Sequence, residues 1–241
     1  MKEIDIIYPL KAESFNDFQE LRFSLRSIDK YLHDYAKVWI IGEKLPSWIR
    51  NVEQIKIKDT SVFRSQNVTA KLVAVCEHAA ITEQFLLMND DFFFNHTRIA
   101  PEYPYFHKGL IEDHLKTIPL SGYYRMLENT VKILKRKGFG TRHFGIHLPM
   151  RMRKDSLAFI LQDIDWMVNN GYSVRCLYGN ILSLEATFLK DPKIYNPLDD
   201  VQTIKMKTWN YDCFSTSERA FNEVMVKFLS EKFPEKSQYE K

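Results

Sequence analysis

The chain has 241 residues, is 45% hydrophobic and 27% charged, and carries a formal net charge of +3. That balance belongs to an ordinary globular protein, long enough for one large α/β domain, and its small net charge does not by itself point to a polyanion partner. Cys76, Cys176 and Cys213 lie far apart with no CxxC spacing, which argues against a disulfide framework or zinc ribbon and for free thiols in a reducing compartment. The apolar run at the start is too short for a signal peptide, and no stretch approaches 18 apolar residues. The expected location is cytoplasmic, without a transmembrane segment and with peripheral membrane contact left open.

In chain order, "IDIIYPL" predicts a strand over 4–8, closed by proline. Phe18, Leu21, Leu25, Ile28 and Leu32 recur at steps of three and four and predict a helix with one apolar face. "KVWIIG" (37–42) and "EQIKIKD" (53–59) predict two further strands, and 69–83 a helix. "FLLM" (85–88) is fully apolar and predicts a central strand. This alternation is that of a mostly parallel sheet, in which ligands bind at the carboxyl ends of strands. Residues 101–109 read as loop and 110–137 as helical with a break near 119–122. Residues 155–170 read as a helix ended by Asn170-Gly171, and "YSVRCLYGN" as a strand. Phe221, Val224, Met225, Phe228 and Leu229 predict a last helix stopped by Pro234. The organisation expected is a single domain over 1–241 with a helical insertion at about 100–170.

"LLMNDDFFF" sets Asn89, Asp90 and Asp91 at the end of the fourth strand, between hydrophobic walls. Two adjacent carboxylates there repel each other and call for a positive partner. A divalent ion such as Mg²⁺ or Mn²⁺ would serve, since both take oxygen ligands from one or two carboxylates plus phosphate oxygens. An Asx-type turn with one carboxylate capping a helix is the alternative. Residues 131–154 contain no acid but eight lysines and arginines, among them Arg142, Arg151 and Arg153. Glycines and "HLP" interrupt the run, so it suits a basic loop around a phosphate-bearing substrate, or nucleic acid, better than a solvated helix. Locally, His147 and Arg175 have ordinary structural readings.

"QELRFSLRSIDKY", "KVWIIGEKLPSWI" and "LLMNDDFFF" together resemble the second conserved region of the Stealth family. These are sugar-1-phosphate transferases of bacterial capsule synthesis, and they include the animal enzyme that phosphorylates lysosomal glycans. "GFGTRHFGIHLPMRMRKDSL" with "SVRCLYGN" resembles the third region, and "KTWNYDCF…FLSEKFPEKSQYE" the fourth. At the first region the chain departs from the pattern: "PLKAES" stands where the family has a Trp-Val-Asp-Gly-like turn.

The resemblance implies a Rossmann-like core of the glycosyltransferase A type and a nucleotide-sugar donor used with Mg²⁺ or Mn²⁺. It implies catalytic roles for Asp90, Asp91, His147 and Arg175, and metal binding by Asp91, Asn210 and Asp212. Substrate contacts are expected from Arg22, Arg26, Lys71, Asn89, Arg142, Arg151 and Arg153. The activity implied is transfer of hexose-1-phosphate to an acceptor hydroxyl in surface or capsular glycan synthesis. Transfer of the sugar itself, to a glycan or a modified DNA base, is the alternative, and a catalytically inactive glycan- or nucleic-acid-binding module is a third.

Overall fold

The computed structural model describes residues 3–11 and 15–241. Of the departing "PLKAES" segment, residues 12–14 lie outside the described residues. In chain order the strands and helices are β1 (Ile4–Pro9), α1 (Gln19–Tyr31), β2 (Leu32–His33), β3 (Tyr35–Ile41), β4 (Glu53–Ile55), α2 (Arg64–Glu77), β5 (Gln84–Leu87), β6 (Phe92–Phe94), β7 (Arg98–Ile99) and β8 (Phe106–His107). Then come α3 (Ile111–Leu115), α4 (Gly122–Arg136), β9 (Met150–Arg153), α5 (Lys154–Gln162), α6 (Val174–Ile181), β10 (Thr187–Phe188), β11 (Lys193–Ile194), α7 (Val201–Thr208), β12 (Cys213–Thr216) and α8 (Glu223–Lys232).

The main sheet has the order β4-β3-β1-β5-β9, parallel except for β9, which pairs antiparallel with β5. Strand side chains alternate between faces, and both faces here are covered. Ile4, Ile6, Tyr8, Val38, Ile40, Leu86 and Met88 pack toward α1, whose Leu21, Leu25 and Ile28 are fully buried. Ile7, Trp39, Ile41, Phe85 and Leu87 face the other way, onto a core shared with α2, α4, α5 and α6. The fold is therefore a Rossmann-like α/β core with a mostly parallel sheet. Asp5, fully buried within β1, is tolerable because its carboxylate accepts the backbone N–H groups of Lys37 (3.1 Å) and Thr82 (2.9 Å).

A second sheet, β11-β12-β6, grows out of the acidic motif. Its edge strand β6 is held against α1 by two serines buried on that helix. Ser24 Oγ donates to the Phe92 carbonyl (2.6 Å), and Phe94 N–H donates to Ser27 Oγ (3.0 Å). Since Ser24 spends its proton on Phe92, the Tyr8 hydroxyl is the donor in its 2.9 Å contact with Ser24. The "RFSLRSI" stretch thus fixes where the strand after the two aspartates runs.

Several elements differ from expectation. The segment 172–180 is not a strand: 174–181 is helical, with Val174, Leu177 and Tyr178 buried at helical spacing and the Asn180 side chain bonded to the Cys176 carbonyl (2.8 Å). Helix α2 starts at Arg64 because Gln66 is buried there, donating to the Met167 and Val168 carbonyls at 2.8 Å each. It stops at Glu77 because His78 turns out of the helix and sets its ring edge-on to Trp39, with centroids 4.9 Å apart. The third strand ends at Ile55, and α5 at Gln162. The 100–170 segment is helical in part, but β9 lies within it and completes the main sheet. The excursion of the chain between β5 and β9 therefore ends near residue 149.

Candidate functional site

Residues Asn89–Phe92 form a tight turn at the carboxyl end of β5, with Phe92 N–H donating to the Asn89 carbonyl at 3.2 Å. Asp90 and Asp91 occupy its two central positions. Because β9 runs antiparallel to β5, with Met150 opposite Leu87, the chain enters β9 at this same edge of the sheet. That brings His147, three residues earlier, to the acidic turn. Arg175, in the first turn of α6, donates to the Leu148 carbonyl and lies over the Phe92 ring at 5.3 Å. His147 and Arg175 both lie near enough to Asp91 for its charge to raise their pKa values.

The positive partner of Asp91 is Lys193, whose ammonium sits 3.1 Å away with both side chains 14% exposed. Lys193 arrives from β11, paired opposite Ser215, which itself pairs opposite Phe92. The same corner gathers Glu20 from the first turn of α1, which accepts a hydrogen bond from Thr216 Oγ1 (3.2 Å). Burial, then repulsion from Asp90 and Asp91, pushes the Glu20 carboxyl up to about 8. Burial and repulsion from Asp91 likewise push Asp90 up to about 6, with Arg64 and Lys193 opposing. Arg64, the first residue of α2, is exposed and makes no ion pair among the described residues.

His147 is organised for proton transfer. Its Nδ1 lies 2.9 Å from Asp191 Oδ2, and its backbone N–H donates to Asp191 Oδ1 at 3.1 Å. Asp191 also takes the ammonium of Lys108 at 2.7 Å. A carboxylate at Nδ1 holds the proton on that nitrogen, which leaves Nε2 as a free acceptor. Burial pulls the His147 pKa below its ordinary value against the opposing pull of Asp191, so the ring is neutral near pH 7. Asp191 in turn is held far below the usual carboxylate range: His147 and Lys108 outweigh its burial. Arg175 is drawn down to about 10 by burial, partly offset by Asp91. Its buried Nη2 has no partner among the described residues.

Other expected contact residues are spent elsewhere. Arg26 binds Glu240 through two parallel bonds (2.7 and 2.8 Å) and donates to the Phe233 carbonyl (3.0 Å), clamping the last residues onto α1. Arg22 stacks over Trp48 at 4.6 Å and approaches the same Glu240 at 3.8 Å. Lys71 is buried between the Leu10 carbonyl (2.7 Å) and Asp59 (2.5 Å). Arg151 stacks on Tyr105 at 4.8 Å and donates to the Pro101 carbonyl (2.6 Å), and Arg153 pairs with Asp155 at 2.6 Å. Arg142 is exposed, its backbone N–H held by Asn180 (2.8 Å). Of the seven expected contact residues, only Asn89 belongs to the acidic turn.

The expected metal set of Asp91, Asn210 and Asp212 does not fit a single ion. In the antiparallel pairing of β6 and β12, Cys213 lies opposite Phe94, so Asp212 lies beside Asn95, whose N–H it accepts at 2.7 Å. Asp91 stands at the other end of β6, about 13 Å away at the strand rise of ~3.3 Å per residue. The Asp212 carboxylate is taken by Arg98, and Asn210 is exposed. Among the described residues no three His, Cys, Asp or Glu side chains are arranged to hold a metal ion.

Sequence reasoning missed Glu20, Lys108, Asp191, Lys193 and Arg64. Asp191 and Lys193 flank Pro192 in "LKDPKIYNP", a charged segment with two prolines and no helical or strand period. Such a segment is where a rigid scaffold commonly carries chemistry, and that was its one available signal.

No family model matches the chain. No curated protein matches it either. Among solved structures it is similar to the crystal structure of 4-diphosphocytidyl-2C-methyl-D-erythritol synthase, at 9% identity and a TM-score of 0.39, over 79% of this chain and 90% of that one. That is a likeness of chain path too loose to transfer a function.

Proposed function

We propose that the chain is a nucleotide-sugar-dependent transferase of the Stealth type, moving hexose-1-phosphate to an acceptor hydroxyl. The observation that carries this reading is the His147–Asp191 pair at the carboxyl edge of the sheet, beside Asp91, Lys193 and Arg175.

In the reaction, His147 Nε2 takes the proton of the acceptor hydroxyl while the oxygen attacks the sugar-bearing phosphorus of the diphosphate. The new P–O bond forms as the P–O bond to the nucleoside phosphate breaks, and a nucleoside monophosphate leaves. Asp191 keeps the imidazole in the required tautomer and stabilises the imidazolium as it forms, a role in which general bases contribute roughly 10²–10⁴-fold. Lys193, Arg64 and Arg175 supply positive charge for the phosphoryl oxygens in a partly water-excluded site, where such groups act most strongly. The unpartnered Nη2 of Arg175 is a standing cost of about 1–3 kcal/mol, which an anionic oxygen beside Phe92 would relieve. Asp91 is tied to Lys193 and positions it.

The test is product identity. Incubation with a panel of nucleotide sugars and hydroxyl acceptors, followed by ³¹P NMR, should show nucleoside monophosphate and a sugar phosphodiester. A nucleoside diphosphate would mean that the sugar C1–O bond breaks and that the chain is a glycosyltransferase. Absence of either product with every donor would favour a binding module.

A further inference from the structure

We propose that Tyr195 and Tyr123, on the Asp191 side of His147, form the platform that binds a pyranose ring of the acceptor; this rests on the transferase reading above. Tyr195 is 56% exposed and Tyr123 is 42% exposed, so both rings offer surface to a ligand. Neither ring is loose. Tyr195 stands edge-on to His147 with centroids 6.4 Å apart and carries the Lys193 ammonium 6.0 Å from its ring. Tyr123 is held at its hydroxyl by His143 Nε2 at 3.2 Å and edge-on by His114 at 6.0 Å. Rigid aromatic faces that stay exposed suit stacking, since little conformational freedom is lost when a ligand covers them.

The hydrogen-bond chemistry of the second tyrosine sharpens the assignment. His143 is fully buried, and burial drives its pKa down to about 2, so the ring is neutral and has one N–H. Its Nδ1 accepts the Gly145 backbone N–H at 3.1 Å, so the proton is on Nε2. Nε2–H therefore donates to the Tyr123 oxygen, and the Tyr123 O–H proton is free to be given to a ligand. A face for C–H stacking, a fixed O–H donor beside it and a proton acceptor at His147 Nε2 are the needs of a sugar bearing a nucleophilic hydroxyl.

Tyr195 and Lys193 both stand beside His147's end of the site: the ring is edge-on to the imidazole, and the ammonium lies 6.0 Å from that ring and 3.1 Å from Asp91. A neutral sugar suits the aromatic face, and the anionic donor suits the ammonium.

Saturation-transfer difference NMR tests this with methyl gluco-, galacto- and mannopyranosides of both anomers, in the presence of a uridine or cytidine diphosphate. The ring C–H protons of at least one glycoside should receive saturation. Tyr195→Leu should weaken that binding by 10-fold or more, Tyr195→Phe should keep it within about 3-fold, and Tyr123→Phe should weaken it 3- to 10-fold by removing the free O–H. The nucleobase signals should be unchanged in all three variants. If Tyr195→Leu instead removes the nucleobase signal, the platform holds the donor base and the proposal falls, while the transferase reading stands. Glycoside binding indifferent to all three variants, or no saturation of any glycoside, also overturns it.

Discussion

Asp90→Asn should make the protein more stable, and the size of the gain follows from the site. Asp90 sits beside Asp91, and burial with that repulsion carries its carboxyl from 3.8 to about 6. An acid whose folded pKa is raised holds its proton longer in the native state. Its contribution is full below the unfolded pKa and is lost as the pH rises through the folded one. The window is therefore pH 3.8 to about 6, and above it the ionised side chain costs the native state about 3 kcal/mol. Asparagine keeps the shape and removes the charge. The variant should gain about 3 kcal/mol at pH 8 and about half of that at pH 5. In a chain of this size each kcal/mol is worth roughly 2–4 °C in Tm. Urea unfolding of wild type and variant at both pH values measures the gain directly. A gain independent of pH, or a loss of stability at pH 8, would refute the claim that Asp90 is held against its own charge.

Asp191→Asn removes the group that raises the His147 pKa and fixes its tautomer. The rate should fall by roughly 10²-fold or more, and the acidic limb of kcat/KM should move to lower pH; a limb that stays in place would detach Asp191 from His147. Arg26→Ala should cost about 3–5 kcal/mol, because Glu240 is 4% exposed and loses its bidentate partner. Thermal melting checks it, and a variant that melts like wild type but fails to bind nucleotide would return Arg26 to the substrate site. Asp212→Asn removes only the partly exposed pair with Arg98. It should change turnover at saturating Mg²⁺ by less than about 3-fold and stability by about 1 kcal/mol at most; a shift in the Mg²⁺ concentration needed would show that Asp212 reaches the reacting groups.

The frame of the fold was legible because its strands are short apolar runs and its first and last helices have clean apolar faces. Ile6, Val38 and Leu86 could be assigned to buried strands from local sequence alone, and so the position of Asp90 and Asp91 followed. Strand β9 was hidden because "MRMR" alternates arginine with methionine inside a basic run, and its place depends on pairing with β5, nearly seventy residues earlier. The second sheet was hidden for a similar reason. Its strands are two to four residues long and gain their meaning from Ser24 and Ser27 on a distant helix. That sheet decides the site. It separates Asp212 from Asp91 and brings in Lys193, which no local pattern marks. Arg22 and Arg26 misled for the opposite reason: their motif is plain, but their partner is Glu240 at the end of the chain.

The central claim is that His147, oriented by Asp191, is the base in transfer from a nucleotide sugar. The most direct test is the rate of nucleoside monophosphate release by His147→Ala, with and without added imidazole, at unchanged nucleotide-sugar binding. The expected result is a fall of roughly 10²–10⁴-fold and a partial return of rate with imidazole. A variant that keeps its rate within about 10-fold of wild type, with no response to imidazole, would contradict it.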